Sequence, residues 1–60
     1  MNVDLDAQMA ELKREITLRE RLYPRWVQDR KLSQATADRQ LEAMRSALAT
    51  LERMASEGKQ

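Results

Sequence analysis

The chain has 60 residues, with 11 Lys and Arg against 10 Asp and Glu, and it contains neither cysteine nor histidine. A chain this short buries only about 60% of its unfolded surface, and it needs disulfides, a metal or oligomerisation to become more than marginally stable. The composition excludes disulfides and argues against a transition-metal site, which leaves oligomerisation.

The absence of cysteine and of any long apolar run has consequences for location. A reducing compartment does not support disulfides, and a signal peptide or membrane span needs a continuous apolar segment. We therefore expect a cytoplasmic protein without membrane contact.

The charges are distributed unevenly. Residues 1–12 carry three acidic side chains and no basic one, whereas residues 13–31 carry seven Lys and Arg against three acids. Such a basic region favours an acidic partner surface or a phosphate backbone, and it is equally compatible with a solvated helical face.

The first predicted helix carries a heptad pattern. The positions, alternately four and three apart, are Leu5, Met9, Leu12, Ile16, Arg19, Tyr23 and Trp26. Arg19 is the polar interruption, and Leu18 and Leu22 widen the stripe, which indicates contact with more than one helix. The helix is expected to start near Asp4 or Asp6, since a carboxylate there can accept hydrogen bonds from free amides.

The segment 22–27, which we call the elbow, contains the chain's only Tyr, Pro and Trp. Pro24 removes a helical hydrogen bond and collides with the preceding turn, at a cost of about 3 kcal/mol. We therefore predict a first helix over residues 4–29 that bends near Arg21 to Pro24. Trp26 would then either cap the helical core or protrude as an anchor for a partner.

The second predicted helix covers residues 34–56. Ser33 is placed to cap its N-terminus, with Leu32 packing on Ala37, and Gly58 falls where a C-cap is expected. Its apolar stripe is Ala37, Leu41, Met44, Leu48, Leu51 and Ala55, flanked by Ala43, Ala47 and Met54.

The two helices predict an all-α fold, a single antiparallel hairpin domain with a Pro-kinked first helix. Folding back at residues 30–33 sets Leu22 against Leu41 and Leu12 against Leu51. A hairpin buries one side of each stripe only, so a second copy would complete a homodimeric four-helix bundle. Its expected core is Leu12, Ile16, Leu41, Met44, Leu48 and Leu51.

The sequence predicts no catalytic residue, metal ligand or cofactor. Histidine is absent and the serines have no base that could activate them. Glu11 and Glu15 lie one turn apart, but Lys13 and Arg14 are beside them, so surface ion pairs are expected instead of a carboxylate metal centre.

The candidate partner-binding residues surround the elbow. They are Arg19, Arg21, Tyr23, Arg25, Trp26, Arg30 and Lys31. Tyrosine, tryptophan and arginine are the residues most enriched at interface hot spots, which predicts a non-enzymatic protein-binding module. In the opposing interpretation, Tyr23 and Trp26 plug the end of the bundle and the cations are merely solvated.

The alternative function is nucleic-acid binding. The chain resembles the plasmid copy-control Rop protein in size and predicted architecture, and such hairpin dimers bind structured RNA across a bundle face. DNA belongs to the same alternative, although the whole chain is near neutral and shows no recognisable DNA-reading motif.

The elbow Leu-Tyr-Pro-Arg-Trp-Val, together with the downstream segments 31–32 and 37–40 and Met44, resembles very short bacteriophage and prophage proteins. Their common feature is a Tyr-Pro-x-Trp-Val elbow, and the resemblance covers about residues 12–50. It implies a phage protein that binds and disables a host protein, such as a transcriptional regulator, in the host cytoplasm. One phage protein of this size inhibits a quorum-sensing activator and pilus assembly. A glycine often follows the Trp-Val turn in this group, where this chain has Arg30, so we expect no left-handed cap there.

Overall fold

The structure, a computed structural model, describes residues 4–58 and consists there of two α-helices. They are α1 (Leu5–Gln28) and α2 (Gln34–Glu57), and they pack against each other as a hairpin measuring 47 × 20 × 18 Å. Each bound lies within one residue of the predicted one. The all-helical class and the hairpin are confirmed.

Both helices begin at side-chain caps. A carboxylate oxygen of Asp4 accepts a hydrogen bond from the Ala7 backbone N–H at 2.8 Å, and Ser33 Oγ accepts one from the Thr36 backbone N–H at 3.1 Å. Each cap satisfies an amide that the first helical turn leaves free, which typically stabilises a helix by about 1 kcal/mol. Gly58 is the C-cap of α2, as predicted.

The helix α1 runs through Pro24 without interruption. The residues that follow Pro24 therefore form the last turn of α1. Proline has no N–H to donate to the carbonyl one turn earlier, so that turn lacks one helical hydrogen bond. A bend of the helix axis at this point stays a prediction.

The helix α1 ends in a left-handed cap at Arg30, where φ is 60°. The Lys31 N–H donates to the Trp26 carbonyl at 2.9 Å, and the Arg30 N–H donates to the Val27 carbonyl at 3.0 Å. This pair of hydrogen bonds defines a Schellman motif. The expectation of no left-handed cap was wrong, because satisfying these two carbonyls outweighs the strain of about 1–2 kcal/mol that a side chain incurs in this conformation.

The seam between the helices buries little. Among residues 4–58, three side chains are buried, namely Ile16, Tyr23 and Ala37. The other five residues of the expected bundle core, Leu12, Leu41, Met44, Leu48 and Leu51, are half-buried. The accessible surface of 4976 Å² also exceeds the roughly 4,000 Å² expected for a folded monomer of 7.0 kDa. One hairpin therefore leaves its apolar stripes incompletely covered.

Polar contacts across the seam define its direction and register. They join Tyr23 to Gln40 at 2.7 Å, Glu20 to Arg45 at 2.6 Å and Lys13 to Glu52 at 3.9 Å. Positions on α2 fall as those on α1 rise, so the helices are antiparallel. The pairings agree with the predicted register, in which Leu22 faces Leu41 and Leu12 faces Leu51.

Replacing Arg30 by glycine should stabilise the protein, because glycine adopts a positive φ without a steric penalty. We expect a gain of about 1 kcal/mol in the free energy of unfolding, measured by urea denaturation at fixed protein concentration. The control is Arg30→Ala, which removes the same charge but keeps a Cβ in the left-handed conformation. Equal stability of the two variants would mean that Arg30 is not strained.

Candidate partner-binding surface

The structure separates the seven predicted residues by burial. All seven lie in residues 19–40, which we call the elbow end of the hairpin. Tyr23 is buried and Arg19 is half-buried, whereas the exposed residues are Arg21, Arg25, Trp26, Arg30 and Lys31.

The two aromatic residues have different environments. Tyr23 is 6% exposed and its hydroxyl donates to Gln40 Oε1 on α2, so it belongs to the seam. Trp26 is 37% exposed, and its ring lies 5.6 Å from that of Tyr23 at an interplanar angle of 40°. Tilted aromatic pairs at this separation attract each other. The indole therefore contacts Tyr23 and keeps part of its surface in solvent. Of the two aromatic side chains that were expected to plug the end of the bundle in the opposing interpretation, only Tyr23 is buried.

Arg19 is engaged within its own helix. Its guanidinium donates to Glu15 Oε1 at 2.9 Å and to the Glu15 carbonyl at 3.3 Å. The hydrogen bond to Glu15 raises the pKa of Arg19, and the Tyr23 oxygen adds a smaller effect in the same direction. The charge of Arg19 is thus neutralised by Glu15 within the same helix.

The remaining cations of the elbow end are free. Within residues 4–58, no hydrogen bond or ion pair engages the side chains of Arg21, Arg25, Arg30 and Lys31, nor those of Arg39 and Arg53 on α2. The cations with a carboxylate within 4 Å are Lys13, Arg14, Arg19 and Arg45. For Arg21, spacing along the helix explains the absence of a partner. Arg21 has no acid three or four positions away, and its neighbour at four positions is Arg25, an arrangement that destabilises a helix slightly.

An exposed leucine lies among the free arginines. Leu18 is 40% exposed, and a shallow groove beside it includes Arg14 and Arg21. The positions 14, 18, 21 and 25 are four, three and four apart, so they share one face of α1. We call Leu18, Arg21 and Arg25 the outer patch. The heptad pattern predicts that Leu18 widens the apolar stripe on one side as a contact for a further helix, although its spacing with the arginines was also readable from the sequence.

The acidic residues of α1 form ion pairs. Arg14 donates to Glu11 and lies 3.7 Å from Glu15, and the hydrogen bond from Arg14 lowers the pKa of Glu11. The expected surface ion pairs are therefore present. In the described part of the chain, no group of three or more acidic residues is arranged to hold a metal ion, and neither helix is long and apolar enough to cross a membrane.

Truncating the two aromatic residues should have unequal effects. Tyr23→Ala removes a buried ring and should cost about 3 to 5 kcal/mol, whereas Trp26→Ala should cost clearly less because the indole is partly solvated. Tyr23→Phe keeps the ring and should cost about 0.5 to 1.5 kcal/mol through the lost hydrogen bond to Gln40. Chemical denaturation of the three variants measures the order. A larger loss for Trp26→Ala than for Tyr23→Ala would contradict the assignment.

The chain matches no protein-family model, no curated protein and no solved structure. The resemblance to the phage proteins with a Tyr-Pro-x-Trp-Val elbow stays a prediction.

Proposed function

We propose that the chain is a non-enzymatic protein-binding module whose outer patch, extended by Arg30 and Lys31, binds an acidic surface of another protein. The observation that carries the proposal is the separation of paired and free cations. Cations along the middle of the hairpin are neutralised by carboxylates, whereas those of the elbow end, Arg19 apart, are exposed without a partner.

Free arginines are well suited to binding. No internal ion pair has to be broken before Arg21 or Arg25 contacts a carboxylate, so the interaction with a partner is not offset by a lost one. Leu18 and Trp26 add exposed apolar area beside them. An apolar centre within a charged rim is the usual composition of a protein interface.

The resemblance to phage proteins supports a specific type of partner. On that basis we propose that the chain acts in the cytoplasm of a bacterial host, where it inhibits or modulates a host protein such as a transcriptional regulator. A bend at Pro24 would direct the last turn of α1, with Arg25 and Trp26, away from the axis of the preceding turns.

We also propose that the module is a homodimer, a four-helix bundle. The support is the incomplete core of one hairpin, in which Leu48 and its neighbours on the stripes are half-buried. A second copy would bury these side chains and supply the stability that a chain of this length lacks.

For a dimer whose folding and association are coupled, the melting temperature should rise with protein concentration. Leu48→Ala should cost about 2 to 5 kcal/mol, the loss typical of a fully buried leucine. Circular dichroism melts over a hundredfold concentration range and light scattering at micromolar concentration test the prediction. A monomer mass with a concentration-independent melt would refute the dimer.

The double substitution Arg21→Ala and Arg25→Ala should abolish capture of the partner and leave the melting temperature nearly unchanged. Neither arginine has an internal partner, and each hot-spot arginine contributes more than about 1 kcal/mol to binding. The measurement is a pull-down with tagged protein from nuclease-treated host lysate. Arg39→Ala with Arg53→Ala is the control, since it removes two free cations from α2 and changes the net charge equally. Unchanged capture by the first variant, or equal loss in the control, would refute the outer patch as the binding surface.

The dependence on salt distinguishes the alternative of nucleic-acid binding. A phosphate-dominated contact should lose orders of magnitude in affinity between roughly 50 and 200 mM salt. An interface with an apolar centre at Leu18 should lose much less. A steep dependence together with nuclease-sensitive capture would favour RNA or DNA.

A further inference from the structure

The two edges of the seam between α1 and α2 are chemically different. Along one edge, ion pairs link Lys13 to Glu52 and Glu20 to Arg45. Lys13 and Glu20 are seven positions apart, as are Arg45 and Glu52, so these side chains lie on the same side of the hairpin. This edge is closed by interhelical ion pairs.

The opposite edge carries a second stripe on each helix. On α1 the positions are Gln8, Leu12, Glu15, Arg19, Leu22 and Trp26, and on α2 they are Gln40, Met44, Ala47, Leu51 and Met54. Both sets alternate four and three, the spacing of a helix that packs along one face. A groove lined by Gln8, Leu12 and Leu51 shows that the two stripes meet there. Met54 is 49% exposed, so this edge is open and largely apolar.

We propose that a second copy of the chain covers this open face in antiparallel orientation, with the Glu15–Arg19 pairs of both copies adjacent at its centre. The inference rests on the homodimer proposed above and adds the face, the orientation and the register. Three properties of the face support it, namely its area, its charge distribution and its polar centre.

The area and composition of the face match an association between copies. The accessible surface of the chain exceeds the value expected for its mass by roughly 1,000 Å², and an interface that buries about 800 Å² of each partner would remove most of this excess. At 100° per residue, Arg21 and Arg25 lie about 140° and about 100° around α1 from the middle of this face, so a dimer leaves both arginines accessible. Trp26 lies at the border between the two surfaces.

The charges favour the antiparallel orientation. The elbow end carries six Lys and Arg against three acids, whereas residues 4–12 and 50–58, the open end of the hairpin, carry five acids against Arg53. An antiparallel dimer sets each basic end beside the acidic end of the other copy. A parallel dimer would bring two basic ends within the Debye length of about 8 Å, where they repel.

The polar centre favours a single register. Glu15 and Arg19 interrupt the apolar stripe near the middle of α1, and their side chains are 30% and 32% exposed. Across a twofold axis at this level, Arg19 of each copy lies near the carboxylate of the other. A slipped register would place these charges against Leu12 or Leu22, and an isolated charge in an apolar interface is costly.

Two alanines of α2 test the face. Ala47 and Ala49 are both exposed, but they are about 200° apart around the helix, and only Ala47 lies on the open face. Ala47→Glu should raise the dimer dissociation constant at least about 100-fold by burying an unpaired carboxylate, whereas Ala49→Glu should leave it unchanged. Analytical ultracentrifugation measures both. Dimerisation of Ala47→Glu at the wild-type affinity would overturn the assigned face.

Spin labels test the orientation without weakening the dimer. The chain has no cysteine, so Gln28→Cys provides a single labelling site at the exposed end of α1. With 1.5 Å per helical residue, the two labels should be about 30 to 40 Å apart in an antiparallel dimer and under about 20 Å apart in a parallel one. A short distance overturns the inference.

The outcomes separate this inference from the proposed function. Gln28 lies outside the outer patch and its label leaves the dimer intact, so partner capture should survive Gln28→Cys. A parallel dimer that still captures its partner would refute the orientation alone. An antiparallel dimer whose capture survives Arg21→Ala with Arg25→Ala would refute the binding surface alone.

Discussion

The packing of Tyr23 across the seam is the contact on which the elbow end depends. Its ring is buried, its hydroxyl binds Gln40 on the other helix and its face supports Trp26. A large side chain with one polar atom can fill an apolar seam and still satisfy its hydroxyl. Because Tyr23 holds α2 close to the end of α1, the chain can reverse in the five residues between Gln28 and Gln34.

The seam alone does not make a complete core. Three buried residues among 4–58 are few for a folded domain, and the leucines of both stripes retain contact with solvent. The exposed apolar surface is not distributed evenly around the hairpin. One edge of the seam is closed by ion pairs, and the other presents leucine, methionine and alanine around the Glu15–Arg19 pair. The asymmetry gives the hairpin one face suited to a second helical pair.

Residues of α1 contribute to three different surfaces of the hairpin. Ile16 and Tyr23 face α2, Leu12 and Leu22 border the open face, and Arg21 belongs to the outer patch. Each surface uses residues seven positions apart or alternately four and three apart, so they share the helix without competing for positions. No acid of α1 lies three or four positions from Arg21 or Arg25. Glu11, Glu15 and Glu20 pair with Arg14, Arg19 and Arg45 instead.

The sequence by itself determined the helices and their pairing. Caps such as Asp4 and Ser33, and apolar spacing of 3.6 residues, act locally, so they predict where a helix begins and which residues share a face. The antiparallel register follows from the short turn, which forces Leu22 opposite Leu41. Other features were decided by the tertiary structure. The cap at Arg30 depends on a balance between backbone strain and two hydrogen bonds, and the spacing of Tyr23 and Trp26 assigns both to the stripe. Only the packing of α2 against α1 decides that Tyr23 is covered and Trp26 is not, because a residue at the edge of a stripe is buried or exposed according to where the neighbouring helix lies.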